Sequence, residues 1–260
     1  MVKKTQAEEA SPRAGGMLGK GLHLLTLLGN YPDGVALSDL AVEAALPTST
    51  AYRLLNAMVA PKFVTFDPAT RRYHLGLKVF ELGHQVSSVK SLVDIATPAM
   101  QRLADGTHEL ISLAVLEHNE MVILKRIEPK ERLHIKAYVE GRFALHTTSL
   151  GKSLLAYMLE NERERVLQDL TLTKMTERTI TDLGALRQEL ARTRERGYGV
   201  CDEENDVGIR AVGAPILNAQ GRVQAALSVA TLTFRRSLSE LEQFVPDLKN
   251  AVHTIGVQLQ

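Results

Sequence analysis

Between Leu37 and Met58 the chain reads LSDLAVEAALPTSTAYRLLNAM, and four of its polar residues, Ser49, Tyr52, Arg53 and Asn56, fall at i, i+3, i+4 and i+7. At helical spacing they share one face, while Ala51, Leu54, Leu55 and Met58 repeat the interval on the other. A short helix docked by its apolar stripe would hold out hydroxyl, guanidinium and amide groups, the chemistry that reads base edges in a DNA major groove. Arg53 leads the set, because a guanidinium bonds guanine bidentately. Thr48, Ser49 and Thr50 stand at the helix start, where unpaired backbone N–H groups can hold a phosphate. Taken alone, the four polar residues equally describe a solvated helix face, and helix-turn-helix folds recur outside DNA binding.

A second group of residues points to small-molecule chemistry. Thr147, Thr148 and Ser149 precede a helix that opens on LGKS. The amides of Ser149, Leu150 and Gly151 could receive an anion along the helix dipole; ordinary capping by a Ser/Thr run is an even alternative. GKS imitates the end of a Walker loop, but the required upstream glycine position holds His146, so no nucleotide site is expected. Farther on, the strand pattern puts Val212, Ala214, Ile216, Val223, Leu227 and Val229 on one side of a sheet. Ala211, Gly213, Ala226, Ser228 and Ala230 take the other, where small residues leave room for a ligand and Ser228 is a polar handle. A helix packed tightly on that face is the competing reading.

Cys201, the only cysteine, excludes an intramolecular disulfide and a Cys-rich zinc site. As a nucleophile, or with a hydroxyl of Thr147 to Ser149 in that role, it would make this an enzyme, but no base or orienting partner is evident. Asp202, Glu203, Glu204 and Asp206 lack the glycine and terminal glutamate of a calcium loop and read as a solvated turn. The eight histidines form no HxxxH or HExxH pair, so neither a metal nor a cofactor is expected.

Around these residues, 260 positions and 45% hydrophobic content suffice for two domains with real cores. A net charge of +1 leaves room only for a local nucleic-acid footprint: residues 1–76 hold eight Lys/Arg against six Asp/Glu. No apolar run reaches the ~18–20 residues of a membrane span. Residues 1–16 lack a signal-peptide core and read as a disordered tail, so the expected compartment is the cytoplasm. Residues 17–30 form a leucine-rich helix ended by the YPDG turn. Ser38 offers an N-cap to the next helix, Thr48 and Ser49 to the one after. Strands at 62–66 and 73–75 flank the DPATRR turn, whose Arg71 and Arg72 suit phosphate or the minor groove. Three helices and a basic-tipped hairpin make a winged helix-turn-helix over 17–76. A connecting helix, 77–90, leads to a helix with Leu92, Ile95, Ala96, Ala99 and Leu103 inward, then strands at 110–117, 121–127 and 133–139. Helices at 149–158, 160–170 and 182–196, strands at 209–217 and 222–231 and a final helix from Leu241 to Leu259 complete an α+β domain, 91–260.

After Met17 the chain resembles the IclR family of bacterial transcription regulators. The resemblance is carried by GLHLL, LSDLAVEAALPTSTAYRLLNAM, RRYHLGLKVFELG, LHTTSLGKSLLAYM and RERGYGVCDEENDVGIRAVGAPILNAQGRVQAALSVA, in that order. It implies a winged-helix DNA-binding domain, a linker helix and a GAF/PAS-like effector domain. It also implies homodimers often paired into tetramers, operator DNA as partner, and a small organic effector, frequently a carboxylic acid. By the same resemblance Thr148 to Gly151 would hold the effector carboxylate, with Ser228, Cys201, Ile209, Ala211 and Ala230 around it. Members that bind very small acids tend to carry an acidic residue where this chain has Cys201 and a hydroxyl where it has Ala230. Those departures make the pocket less polar and favour a larger, partly apolar acid.

Overall fold

The computed structural model describes residues 16–84, 87–117, 119–129 and 144–259. The chain divides into two compact units between Val86 and Ser87. The tail at 1–15 and the strand expected at 133–139 lie outside the described residues.

In the first unit, α1 (Met17–Gly29) buries Gly21, Leu24 and Leu28. The turn after it reaches Gly34, at φ 72°, where a side chain would collide with the His74 ring. A two-residue strand, β1 (Val35–Ala36), runs straight into α2 (Leu37–Glu43), so the extended residue at the helix start is Ala36. Ser38 therefore does not cap α2; it lies in the first turn and donates to Asp39. Ala45, at φ 51°, makes the turn into α3 (Thr48–Val59), with Leu46 N–H closing on Ala41 O at 2.9 Å. The N-cap of α3 is Pro47, and neither Thr48 nor Ser49 supplies a capping oxygen. Ala51, Leu54 and Leu55 of α3 are buried against Leu24, Leu28 and Leu40, with Met58 packed at the edge. The hairpin is β2 (Val64–Asp67) and β3 (Arg72–Leu75), and β3 is central because β1 pairs with its free edge. Then α4 (Leu77–His84) begins.

The second unit opens with α5 (Ser87–Thr107), so the stretch expected as one linker helix is shared between α4 and the start of α5. Two strands, β4 (Leu110–Glu117) and β5 (Glu120–Ile127), precede the helices α6 (Ser149–Tyr157), α7 (Glu160–Asp169) and α8 (Leu183–Arg196). The strands β6 (Gly199–Asp202), β7 (Ile209–Leu217) and β8 (Val223–Leu232) follow, and the antiparallel sheet runs β5-β4-β8-β7-β6. The expected final helix is two: α9 (Leu238–Glu242), started by a Ser237/Glu240 capping box, and α10 (Val245–Gln258), which a proline in its first turn separates from it.

Strand alternation assigns the two sheet faces. Val212, Ala214, Ile216, Leu227 and Val229 join Ile111 and Leu113 in the core covered by α5 and α10. Val223, expected with them, packs instead into the core built on Leu150, Leu154 and Leu186, beyond a register shift between Ile216 and Leu217. The opposite face carries Ala211, Gly213, Ser228 and Ala230 beneath α6.

Candidate functional site

On α3, burial of the apolar stripe turns Thr48, Ser49, Tyr52, Arg53 and Asn56 to solvent; Thr50, at the flank, is half-buried. The hairpin turn beside it is organised by Asp67, whose carboxylate accepts from Ala69 N–H (2.9 Å) and Thr70 Oγ1 (2.7 Å). Those bonds, the Thr70 hydroxyl foremost, hold its pKa below the usual carboxylate value. The two arginines at the turn separate. Arg71, at φ 57°, stands at the tip, whereas Arg72 Nη1 donates back to Gly34 O (3.0 Å) and Asp33 O (3.4 Å) and ties β3 to the turn after α1. The sequence showed no reason to separate them, because β1 was not apparent in it.

In the second unit, all of α6 from Ser149 to Ala156 is buried. Its N-terminus lies on glycines: a Cβ at Gly213 would come 2.9 Å from the Ser149 carbonyl, and one at Gly199 2.5 Å from Ser149 O. Ser153 fastens the contact, donating to Gly213 O (2.8 Å) and accepting from Gly199 N–H (3.2 Å). Part of the small-residue face thus seats a helix rather than leaving a space. Thr148 is the N-cap, and its Oγ1 accepts from Gly151 N–H at 3.0 Å. The anion site expected on three amides is therefore reduced to Ser149 and Leu150, since the Gly151 amide is already bonded.

Cys201, Ala211 and Ala230 stand opposite one another across β6, β7 and β8, with Leu110 of β4 completing the row. The four form a small buried apolar cluster separate from the larger cores. Ser228 lies one row along, and Ile209 is half-buried at the start of β7. Burial pushes the Cys201 thiol pKa up, the opposite of what a nucleophilic cysteine requires.

The acidic turn is not a solvated one. Lys152, only 1% exposed, places Nζ 2.6 Å from both Glu204 carboxylate oxygens and 2.9 Å from Val200 O. Burial raises the Glu204 pKa and Lys152 opposes that shift. Asp202 pairs with Arg178 and Arg210. The hydroxyls of Thr176 and Thr179 donate to the carbonyls of Glu203 and Glu204, and Thr147 Oγ1 to Asn205 Oδ1. The signal for this pairing was a lysine amid small apolar residues of a short helix, but nothing local names its partner 52 positions away. His146, fully buried, bonds Thr173 O through Nε2 (3.1 Å); burial holds its pKa below the usual imidazole value. Among the described residues no group of three or more His, Cys, Asp or Glu could hold a metal ion, and no helix is long and apolar enough to cross a membrane.

A helix-turn-helix unit with an exposed polar recognition face, followed by an α+β unit with small residues under a helix N-terminus, defines a DNA-binding regulator with a sensing domain. The comparisons agree. Residues 17–68 match the IclR helix-turn-helix domain, and 84–257 match the bacterial transcriptional regulator IclR C-terminal domain. The chain is 32% identical to the transcriptional regulator KdgR of Escherichia coli over 225 residues, 86% of each chain. It is 30% identical to the transcriptional repressor AllR of Salmonella typhi, covering 97% of this chain and 94% of that one. A solved IclR homologue from Microbacterium hydrocarbonoxydans, complexed with 4-hydroxybenzoate, superposes with a TM-score of 0.79 at 30% identity, covering 94% of this chain and 99% of that one. The chain belongs to the IclR family; it is a DNA-binding transcription regulator, and these relatives are regulators rather than enzymes.

Proposed function

We propose that the chain is a cytoplasmic, ligand-responsive repressor of a catabolic operon, with a small, partly apolar organic acid as effector. The observation that carries this reading is the buried row Cys201, Ala211, Ala230 and Leu110 with Ser228 beside it, on the sheet face under α6. The Ser149 and Leu150 amides take the effector carboxylate, Thr148 holds their helix turn in place, and Ser228 donates a hydrogen bond. Cys201, Ile209, Ala211 and Ala230 enclose the apolar part.

Homodimers, paired into dimers of dimers, place α3 helices in successive major grooves of a roughly palindromic operator. Ser49, Tyr52, Arg53 and Asn56 meet bases, while Thr48, Thr50 and Arg71 belong to the phosphate side; Arg72, expected there too, is held by Gly34 O and Asp33 O. Effector binding shifts the population of effector-domain arrangements, and the 77–90 stretch transmits the shift. The test is a gel-shift on the promoter of the neighbouring operon with the acids that operon degrades. The active acid should release wild-type protein but neither Ala230→Leu, which fills the site, nor Cys201→Asp, whose charge repels the anion. Release of both variants at wild-type effector concentration would place the pocket elsewhere.

A further inference from the structure

The outer side of α10 borders a cavity that the proposed effector site does not use. Lys249, Val252, His253, Gly256 and Val257 follow at i, i+3, i+4, i+7 and i+8, a single helical stripe. All of them line a space of about 550 Å³ between α10 and the end of β7. Gly256 sets the helix down on the strand, since a Cβ there would come 2.3 Å from Leu217 O. Pro215 and Leu217 supply the strand side of a mainly apolar lining, and Val257 remains 56% exposed. Tyr157, the last residue of α6, lines the cavity too. The Ser149 amide stands at the other end of that helix, about 12 Å away along its axis, so the two places are separate.

The charge beside this cavity has one sign. The Lys249 ammonium reaches the end of α8, where Gly197 adopts φ 84°, and donates to Arg196 O at 2.7 Å. A Cβ on Gly197 would stand 2.8 Å from the nitrogen, so the glycine makes the room that fixes it. An ammonium carries three donors, and this carbonyl takes one. Among the described residues no carboxylate pairs with Lys249, and no Asp or Glu lines the cavity. Glu242 accepts instead from the hydroxyl of Tyr198 (3.0 Å), whose ring centre is 5.5 Å from the ammonium.

Small-molecule sites have this size and this make-up, a largely apolar lining with a few polar groups that fix orientation. We propose that the cavity beside α10 is a second ligand site, distinct from that of the effector, for an amphipathic monocarboxylate. The carboxylate bonds the Lys249 ammonium, and an apolar body, aliphatic or aromatic, lies along Val252, Val257, Pro215 and Leu217. One fixed cation in an apolar surround matches one negative charge on the ligand.

Calorimetry on the full chain with dodecanoate, 2-naphthoate and dodecyltrimethylammonium, each below its micellar concentration, tests this. Titrations of wild type and of Ala230→Leu keep the effector site apart. At least one acid should bind Ala230→Leu as well as wild type, and the better of the two tells aliphatic from aromatic ligands. The cation should bind about threefold to tenfold more weakly. Lys249→Met should erase that difference, Lys249→Arg should keep it, and Val257→Trp, a bulky change at an exposed position, should abolish binding. Each variant should melt cooperatively by circular dichroism. Binding that Ala230→Leu alone removes would put these acids in the effector site, overturning the second site and leaving the first. Binding by neither acid, equal binding of acid and cation, or indifference to Val257→Trp would also overturn it. A ligand-free Val257→Trp protein that sediments differently from wild type would give the groove to a second copy of the chain and overturn the ligand site.

Discussion

Lys152 keeps its ammonium 2.6 Å from both oxygens of Glu204 in the interior, whereas Arg53 projects its guanidinium from α3 into solvent. The two charges accordingly fail in different ways when removed. Lys152→Met strands a buried carboxylate and should cost about 3–5 kcal/mol of stability in urea unfolding. Lys152→Met/Glu204→Leu should recover most of that loss, because two apolar groups of similar volume need no solvation. A double variant no more stable than the single one would show that the pair's hydrogen bonds to the 200–205 segment dominate. Arg53→Ala should leave the melting temperature unchanged and remove about 1–3 kcal/mol of operator affinity, with relaxed preference at one position per half-site. Equal loss on operator and random DNA would move Arg53 to the phosphate backbone.

At the scale of elements, β1 changes the meaning of the wing. Two residues paired to β3 bring the turn after α1 within reach of Arg72, which bonds Gly34 O and Asp33 O and so serves the fold. Arg71, exposed at the tip, is the arginine left for the proposed phosphate contact. Arg71→Ala should lower the log–log salt slope of operator binding by about 0.9, the value of one lost phosphate contact. Arg72→Ala should chiefly lower the thermal stability of the first unit. A slope changed only by Arg72→Ala would reverse these roles. In the second unit α6 plays two parts, since the glycines that admit its N-terminus also fix where its free amides stand over the sheet.

The molecule as a whole has two compact units, and the first leaves apolar surface uncovered on α1, where Leu18 is 77% and Leu22 55% exposed. The two residues are one helical turn apart and so share a face. Such a pair on an otherwise well-packed helix suits an isologous contact with a second copy, which the proposed operator reading requires. Leu18→Glu/Leu22→Glu should therefore shift sedimentation toward monomer and weaken operator binding, with the fold intact by circular dichroism. A double variant that sediments as wild type would place the dimer contact on another surface.

Periodicity in the sequence by itself determined the first three helices, the polar face of α3 and, Val223 excepted, the two faces of β7 and β8. It did so because each of those patterns is local: a helix repeats every 3.6 residues and a strand every two, and the apolar side must turn inward. Only the tertiary structure decided which polar groups remain free. Thr148 consumes the Gly151 amide, Arg72 is drawn to a strand too short to read, and Glu204 leaves its apparently solvated turn for a lysine 52 residues away. The row from Gly199 through Gly213, Ser228 and Ser112 to Arg126 joins five strands by register. Pattern tells which way a side chain faces; what stands opposite it is set by long-range pairing, which no local spacing records.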